Sequence, residues 1–274
     1  MRLEVYFWRK TLPEHLDFRV AKPNYIELGE RKALIRIPIL YEDRSVLAID
    51  KPPGWMLAPT DWMQTSRNLP AALESSIAAG DFWAHSRNLK FLRHVHRLDA
   101  ETSGVLLFTK SPGAVRAYSE LFENRVTEKI YLAIVRGVPK QTAWVCNLKL
   151  APVERQPGKM FPSRTGKDSE THFNILQTRA ADSGESVTLV EARPLTGRTH
   201  QIRVHLAESG CPVVNDFLYG VETRAKPKAS EKVSMGLRAI ELAYMDPFSR
   251  RRIKICAPSE EFLRGFGFNV AAEK

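Results

Sequence analysis

The chain has 274 residues, 43% of them hydrophobic, and 41 Lys and Arg against 31 Asp and Glu give it a formal net charge of +10. That length suits one large domain or two small ones with a sizeable core, and no stretch approaches the ~20 apolar residues of a membrane span. Cys146, Cys211 and Cys256 are few, odd in number and far apart, which excludes a disulfide framework.

Residues 1–37 are charged and mixed, with Pro13 and Pro23 interrupting them, and read as an extension packed on a main domain of residues 38–270. The start has no apolar run of signal-peptide length and carries Glu4 and no Ser within its first ten residues, so the expectation is a cytoplasmic protein in a reducing compartment. Ile35, Ile37 and Ile39 alternate with Leu34, Arg36 and Pro38, predicting a strand with a proline in it. The apolar run 45–50 stops at Lys51-Pro52-Pro53-Gly54, a turn. Residues 68–79 predict a helix ended by Gly80. Residues 104–109 (GVLLFT) predict a buried strand, and Ser111-Pro112 opens a helix to about residue 122, with Ser as N-cap.

Residues 128–135 predict a strand of period two, with Ile130, Leu132 and Ile134 on one side and Lys129, Tyr131 and Ala133 on the other. Further strands are predicted near 143–150, 170–177 and 187–193. Residues 199–209 predict a helix closed by Gly210, although Ile202, Val204 and Leu206 also fit strand alternation. Strands near 237–244 and 251–257 and a short helix complete the chain. The segment 153–169 reads as a loop or insertion, as does 221–232, where Arg224, Lys226, Lys228 and Lys232 surround Pro227. In 60–90, Trp62, Phe82 and Trp83 read as core or lid residues, or as a surface for stacking unpaired bases. Strands outnumber helices without alternating regularly with them, which predicts an α+β fold on a mixed, largely antiparallel sheet with flanking helices.

The positive excess predicts a polyanionic partner, nucleic acid first and an anionic membrane surface second. Polar groups concentrate beside turn residues in four segments: 51–54, 96–104, 129–133 and 193–205. In the second, Asp99 sits in a loop before an apolar strand. Thr102 and Ser103 can hold that loop through backbone hydrogen bonds, and Gly104 allows a tight approach. Taken alone, an Asp in such a loop is far more often a turn or cap group than a reacting one.

The motifs change that weighting. HRLDAETSGVLLFTK resembles the catalytic-loop motif HRLD-x-x-TSG of RluA-type pseudouridine synthases. YEDRSVLAIDKPPGW is similar to the family's opening strand and Lys-Pro turn, and LFENRVTEKIYLAIVRG to its Tyr-bearing strand. RPLTGRTHQIRVHLAESGCPVVNDFLYG is similar to its third motif and the Asp-x-x-Tyr-Gly that follows. The resemblance covers residues 39–262 and implies the pseudouridine synthase fold with its active site in a central cleft. It implies no cofactor and a ribosomal or transfer RNA as partner; beside it, the residue spacing predicts no metal, the apolar pattern no membrane, and a monomer is the simplest expectation.

Residue by residue, Asp99 matches the catalytic aspartate, as nucleophile or as base at C2′. Arg203 matches the basic residue that pairs with it, and Tyr131 the tyrosine that stacks on uracil and helps remove the C5 proton. Arg97 matches the Arg of HRLD and would fill the stack left by an extruded base or meet a phosphate. Ile202 would form part of an apolar wall, and Lys51, Arg198, His200 and Gln201 would orient loops or meet phosphates. The pairs His94 with His96 and His200 with His205 lack the carboxylates or cysteines of a metal site. The run from Ser249 to Lys254 reads either as an RNA-backbone patch or as a solvated hairpin turn.

The sequence also departs from the family. Residues 1–37 are too few for the S4 RNA-binding domain many members carry, and Ala58-Pro59 stands where members often have His-Pro. Two other classes fit parts of the pattern: an RNA-binding protein without the chemistry, and a glycoside hydrolase using Asp99 and Glu101.

Overall fold

The computed structural model describes residues 22–29, 34–58, 67–156, 158–180, 184–220 and 233–268. Trp62, Pro59, the 221–232 loop with its four cations and the first 21 residues lie outside the described residues.

Three antiparallel strands come first: β1 (Tyr25–Leu28), β2 (Ile35–Glu42) and β3 (Val46–Lys51). β2 crosses the 37/38 division, so residues from Tyr25 onward belong to the same sheet as the rest. Pro38 sits opposite Tyr25 at the end of the β1 pairing and beside a register shift toward β3, where a missing N–H is tolerated. Next come α1 (Leu69–Ala79) and the short α2 (Phe82–His85). Asn68 caps α1 by accepting the Ala71 N–H, and Gly80 closes it at φ +73°. In α2, Trp83 is buried and donates its indole N–H to Ser76, while Phe82 is 52% exposed. Of the two described aromatics of that segment, then, one is core and one is surface.

β4 (Arg93–His94), β5 (Ser103–Thr109), α3 (Pro112–Glu123) and β6 (Glu128–Arg136) follow. Ser111 occupies the N-cap of α3 in extended conformation, but its side chain makes no capping bond. The predicted strand 143–150 is two strands, β7 (Ala143–Cys146) and β8 (Lys149–Pro152), in different sheets. β8 pairs with β9 (Met160–Pro162) and β10 (Lys167–Asp168) in a small three-stranded sheet, so 153–169 is not simply a loop. β11 (Thr171–Ala180), β12 (Ser186–Pro194), α4 (Gln201–Glu208), β13 (Leu237–Met245), β14 (Arg252–Cys256) and α5 (Glu260–Gly265) complete the described chain.

The main sheet has eleven strands in the order β1-β2-β3-β5-β13-β6-β12-β11-β7, with β4 on β5 and β14 on β13. The β5–β13 contact is parallel; the other pairings between the strands named here are antiparallel. This is the expected α+β architecture. Leu47, Ile49, Leu106 and Phe108 pack with α1 and α2 on one face, and Val46, Ala48, Val105 and Leu107 with Ala114 and Tyr118 of α3 on the other. Burial on both faces explains why β3 and β5 read as continuous apolar runs. In β6, Leu132 and Ile134 enter one cluster, and Tyr131, Ala133 and Val135 another on the opposite face. The run from Ser249 to Lys254 covers the end of the turn between β13 and β14 and the first three residues of β14. Asp246 accepts the N–H of Phe248 and Ser249, and Arg252 and Lys254 pair with Glu128 and Glu241. Among the described residues no helix is long and apolar enough to cross a membrane.

Candidate active site

The parallel joint between β5 and β13 sits at the middle of the sheet and places the site. Gly104 faces Ala239 across it, at φ +114°, and a Cβ on Gly104 would lie 2.0 Å from the Ala239 carbonyl oxygen. The loop ending at Ser103 is therefore pressed against β13 at its root. Arg238 of β13 fastens it further. Its guanidinium donates to Asp50 at 2.6 Å, to Ser103 Oγ at 3.1 Å and to the Pro258 carbonyl at 2.9 Å.

Lys51 secures the same loop from the other side. It is fully buried and donates its three ammonium hydrogens to the carbonyls of Pro52, Ala100 and Thr102 at 3.1, 2.9 and 2.7 Å. Burial pushes its pKa down to about 7, against the pull of Asp99 and Glu101. A buried ammonium with three carbonyl partners has no donor left for a phosphate. The Thr102 side chain does not hold the loop as expected. Its hydroxyl is buried without a hydrogen-bond partner among the described residues, and it is the Thr102 backbone N–H that donates to the Asp99 carbonyl.

The loop thus fixed presents Asp99 to a cleft of about 340 Å³ between the loop before β5, the end of α3, β6 and the segment joining β12 to α4. Arg97, Asp99, Tyr131, Arg198, His200, Gln201, Ile202 and Arg203 all line it. Lys51, the ninth predicted residue, sits behind the loop. Tyr131 enters from β6, and burial followed by the nearby Asp99 carboxylate pushes its phenol pKa up, so it is protonated at neutral pH. Ile202 is buried in the wall. Arg97 is exposed, and Arg198 donates to the Asp168 carbonyl at 3.0 Å. With Arg125 and Lys129 the lining holds five cations, counting Arg97, Arg198 and Arg203, against Asp99 and Glu123. That imbalance draws in a polyanion.

Gln201 lines the cleft at only 4% exposure with every amide group used. Its oxygen accepts from Thr196 Oγ1 at 2.6 Å and Arg198 N–H at 3.0 Å; its nitrogen donates to the Glu170 carbonyl and Thr171 Oγ1, each at 2.9 Å. Both amide hydrogens are engaged at the start of β11, which leaves none for a phosphate. His96 and His205 are also structural. His96 Nε2 accepts the Leu107 N–H and its ring stacks on Phe122, while His205 lies between Ser169 and Thr171.

α4 is buried almost all round, residues 201–206 included, which is why its apolar residues fit two periodicities. Arg203 on it is 3% exposed. It donates Nη1 to Asp99 Oδ2 at 3.2 Å, and Nε and Nη2 to the two oxygens of Asp216 at 2.7 and 2.8 Å. Glu101 Oε2 stands 3.7 Å from the same Nη1. Asp216 also accepts the N–H groups of Leu218 and Tyr219, and the Tyr219 ring lies 5.2 Å under the guanidinium. Asp216 and Tyr219 are the Asp-x-x-Tyr-Gly residues, recognised in the sequence but given no role there. Asp50 stands in the opening-strand motif without a role assigned to it, and Arg238 lies outside the motifs.

A family model described as RNA pseudouridylate synthase matches residues 45–208. The chain is 34% identical over 239 residues to the ribosomal large subunit pseudouridine synthase C of Haemophilus ducreyi, covering 86% of this chain and 70% of that protein. It is 33% identical over 215 residues to the dual-specificity RNA pseudouridine synthase RluA of Vibrio cholerae, covering 78% of this chain and 79% of that one. The fold is similar to that of human RNA pseudouridylate synthase domain containing 1, with a TM-score of 0.63 at 24% identity over 85% of this chain and 86% of that one.

Proposed function

The chain belongs to the RNA pseudouridylate synthase family and is an isomerase acting on RNA; from that premise we propose that it converts a specific uridine of ribosomal or transfer RNA to pseudouridine, with Asp99 as the reacting carboxylate. The observation that supports this most is the hold on Asp99. Its Oδ2 is engaged by Arg203, a cation that Asp216 fixes from behind, and its Oδ1 faces the cleft toward His200.

Isomerisation breaks C1′–N1, turns the uracil and joins C1′ to C5. The C5 proton leaves and N1 gains one, so no atom is gained or lost overall. Asp99 opens the sequence either by bonding Oδ1 to C1′ as uracil departs, or by taking the C2′ proton. Tyr131 stacks on the uracil and, protonated as it stands, assists loss of the C5 proton by passing its own proton on to solvent as it takes up that one. Ile202 walls the base, Arg97 at the rim fills the stack vacated by the extruded nucleotide, and Arg198 meets a phosphate. Residues 38–270 form the catalytic domain in this reading. The Haemophilus ducreyi relative is named for the ribosomal large subunit, which favours ribosomal RNA. A glycosidase pairing of Asp99 with Glu101 is disfavoured, since both carboxylates turn to one guanidinium.

The test is pseudouridine mapping of total RNA, by carbodiimide labelling and primer extension, from cells with and without the protein. Loss of one or a few sites is the expected result and names the substrate; an unchanged map overturns the proposal.

A further inference from the structure

His200 sits at φ +53°, a left-handed conformation uncommon outside glycine. That backbone turns its ring into the cleft between Tyr219 and Asp99. Nδ1 is 2.9 Å from the Tyr219 hydroxyl, and Nε2 is 3.9 Å from Asp99 Oδ1.

The Tyr219 hydroxyl has one proton to give. Its oxygen accepts the Met160 N–H at 2.8 Å, and His200 Nδ1 is the acceptor within reach of that proton. Burial pushes the Tyr219 pKa up to about 12, and burial lowers that of His200, so the phenol is protonated and the imidazole neutral near pH 7. A neutral imidazole whose Nδ1 accepts carries its hydrogen on Nε2. Nε2–H therefore faces Asp99 Oδ1.

At 3.9 Å the two cannot bond each other directly. They form a donor and an acceptor spaced to share one group that both accepts and donates. A hydroxyl does both, whereas a uracil carbonyl only accepts and the uracil N3–H only donates. By either route, Asp99 Oδ1 comes within roughly 3–3.5 Å of C1′ or C2′, and the hydroxyl nearest those carbons is the one on C2′.

We propose that His200, held in its Nε2–H tautomer by Tyr219, donates to the ribose 2′-hydroxyl of the target uridine and so selects ribose over deoxyribose. This rests on Asp99 being the reacting carboxylate. Tyr219 is then a positioning residue, acting through the histidine.

Two measurements test it. Long-range nitrogen–proton NMR of the free protein reads the tautomer without any RNA. The Nε2–H form is expected at His200, and Tyr219→Phe should admit the other form; an Nδ1–H His200 in the wild-type protein overturns the proposal. The second uses a stem-loop oligonucleotide spanning the mapped site, made with uridine or 2′-deoxyuridine at the target, under single turnover with enzyme in excess. Wild-type enzyme should convert the ribose form about tenfold or more faster, the worth of one hydrogen bond made in the transition state. His200→Asn keeps a side chain suited to the left-handed backbone and should bring that ratio near one. If the substitution merely loosens the fold, both rates fall together and the wild-type ratio survives, which also overturns the proposal. A wild-type enzyme inert on the ribose form would instead remove the isomerase reading, leaving the tautomer result to stand alone.

Discussion

Arg203 and Asp216 form a bidentate pair at 2.7 and 2.8 Å, with the cation 3% and the carboxylate 1% exposed, and the guanidinium nitrogen left over is the one that reaches Asp99. Breaking a pair this deeply buried from one side leaves a charge without its partner, a loss of about 3–5 kcal/mol. Asp216→Asn is expected to lower unfolding stability in urea by that order. It should also slow turnover, since Arg203 is then free to rotate off Asp99. Stability within 1 kcal/mol of wild type, roughly the worth of an exposed pair, would show that Asp216 does not anchor the cation.

Asp99 stands apart from that anchor. Its carboxylate is partly open to the cleft, and one contact to Arg203 is a small part of the fold's total. Asp99→Asn should therefore fold and bind RNA as wild type does, while isomerisation falls by at least roughly 10²–10⁴-fold, the worth of a positioned reacting group. Tritium release from RNA labelled with [5-³H]uridine measures it. Near-normal release from the Asn variant would remove Asp99 from the chemistry.

How far these roles were legible in the sequence depends on what each residue touches. Asp99, Tyr131 and Arg203 stand in motifs whose order and spacing survive in the chain, and all three meet in the cleft. Lys51 and Gln201 stand in the same motifs, yet a motif does not say whether a polar side chain faces substrate or its own backbone. That depends on burial, which only the packing of the loops decides. Arg238 and Asp50 lie 188 positions apart and meet across β5, which pairs with β3 on one side and β13 on the other, a long-range arrangement with no local pattern. β9 and β10 have three and two residues, too short for period two to show between turn residues.

The Gly104 position is the least forgiving on the sheet. An Ala there needs both a backbone at φ +114° and room for a Cβ that would otherwise lie 2.0 Å from the Ala239 carbonyl oxygen. Neither partner can yield without opening the β5–β13 joint, because the obstacle is main chain rather than a flexible side chain. Gly104→Ala is expected to cost about 3 kcal/mol or more and to abolish activity by displacing the Asp99 loop. Thermal unfolding and soluble yield report it; an Ala variant with an unchanged midpoint would mean that the joint is looser than described.

The net charge of +10 and the five cations lining the cleft make binding sensitive to salt. Each phosphate neutralised releases a condensed counterion, so affinity for RNA should fall steeply between roughly 50 and 200 mM salt. Filter binding of the mapped stem-loop gives the slope. A flat response would assign binding to base contacts instead of the backbone.

His205 gives the protein an acid limit. It is fully buried on α4, with Nε2 2.8 Å from Ser169 Oγ and Nδ1 3.0 Å from Thr171 Oγ1. Ser169 Oγ donates to the Leu148 carbonyl, so it accepts from Nε2–H, and Thr171 Oγ1 already accepts from Gln201 and donates to Nδ1. A second ring proton would have to displace the Thr171 hydroxyl hydrogen from Nδ1, and burial pushes the pKa down to about 4 from 6.5. The folded pKa lies below the unfolded one, so between those values the unfolded chain takes up a proton that the folded chain refuses. Stability is whole above pH 6.5 and declines as pH falls toward 4, at about 1.4 kcal/mol per pH unit and about 3 kcal/mol in all. His94, His96 and His200 are depressed too and steepen the wild-type curve. Urea unfolding of wild type and His205→Gln across that window separates the contributions. The variant starts less stable at neutral pH and should lose about one proton's worth of slope; equal slopes would mean that His205 takes its proton in the folded state.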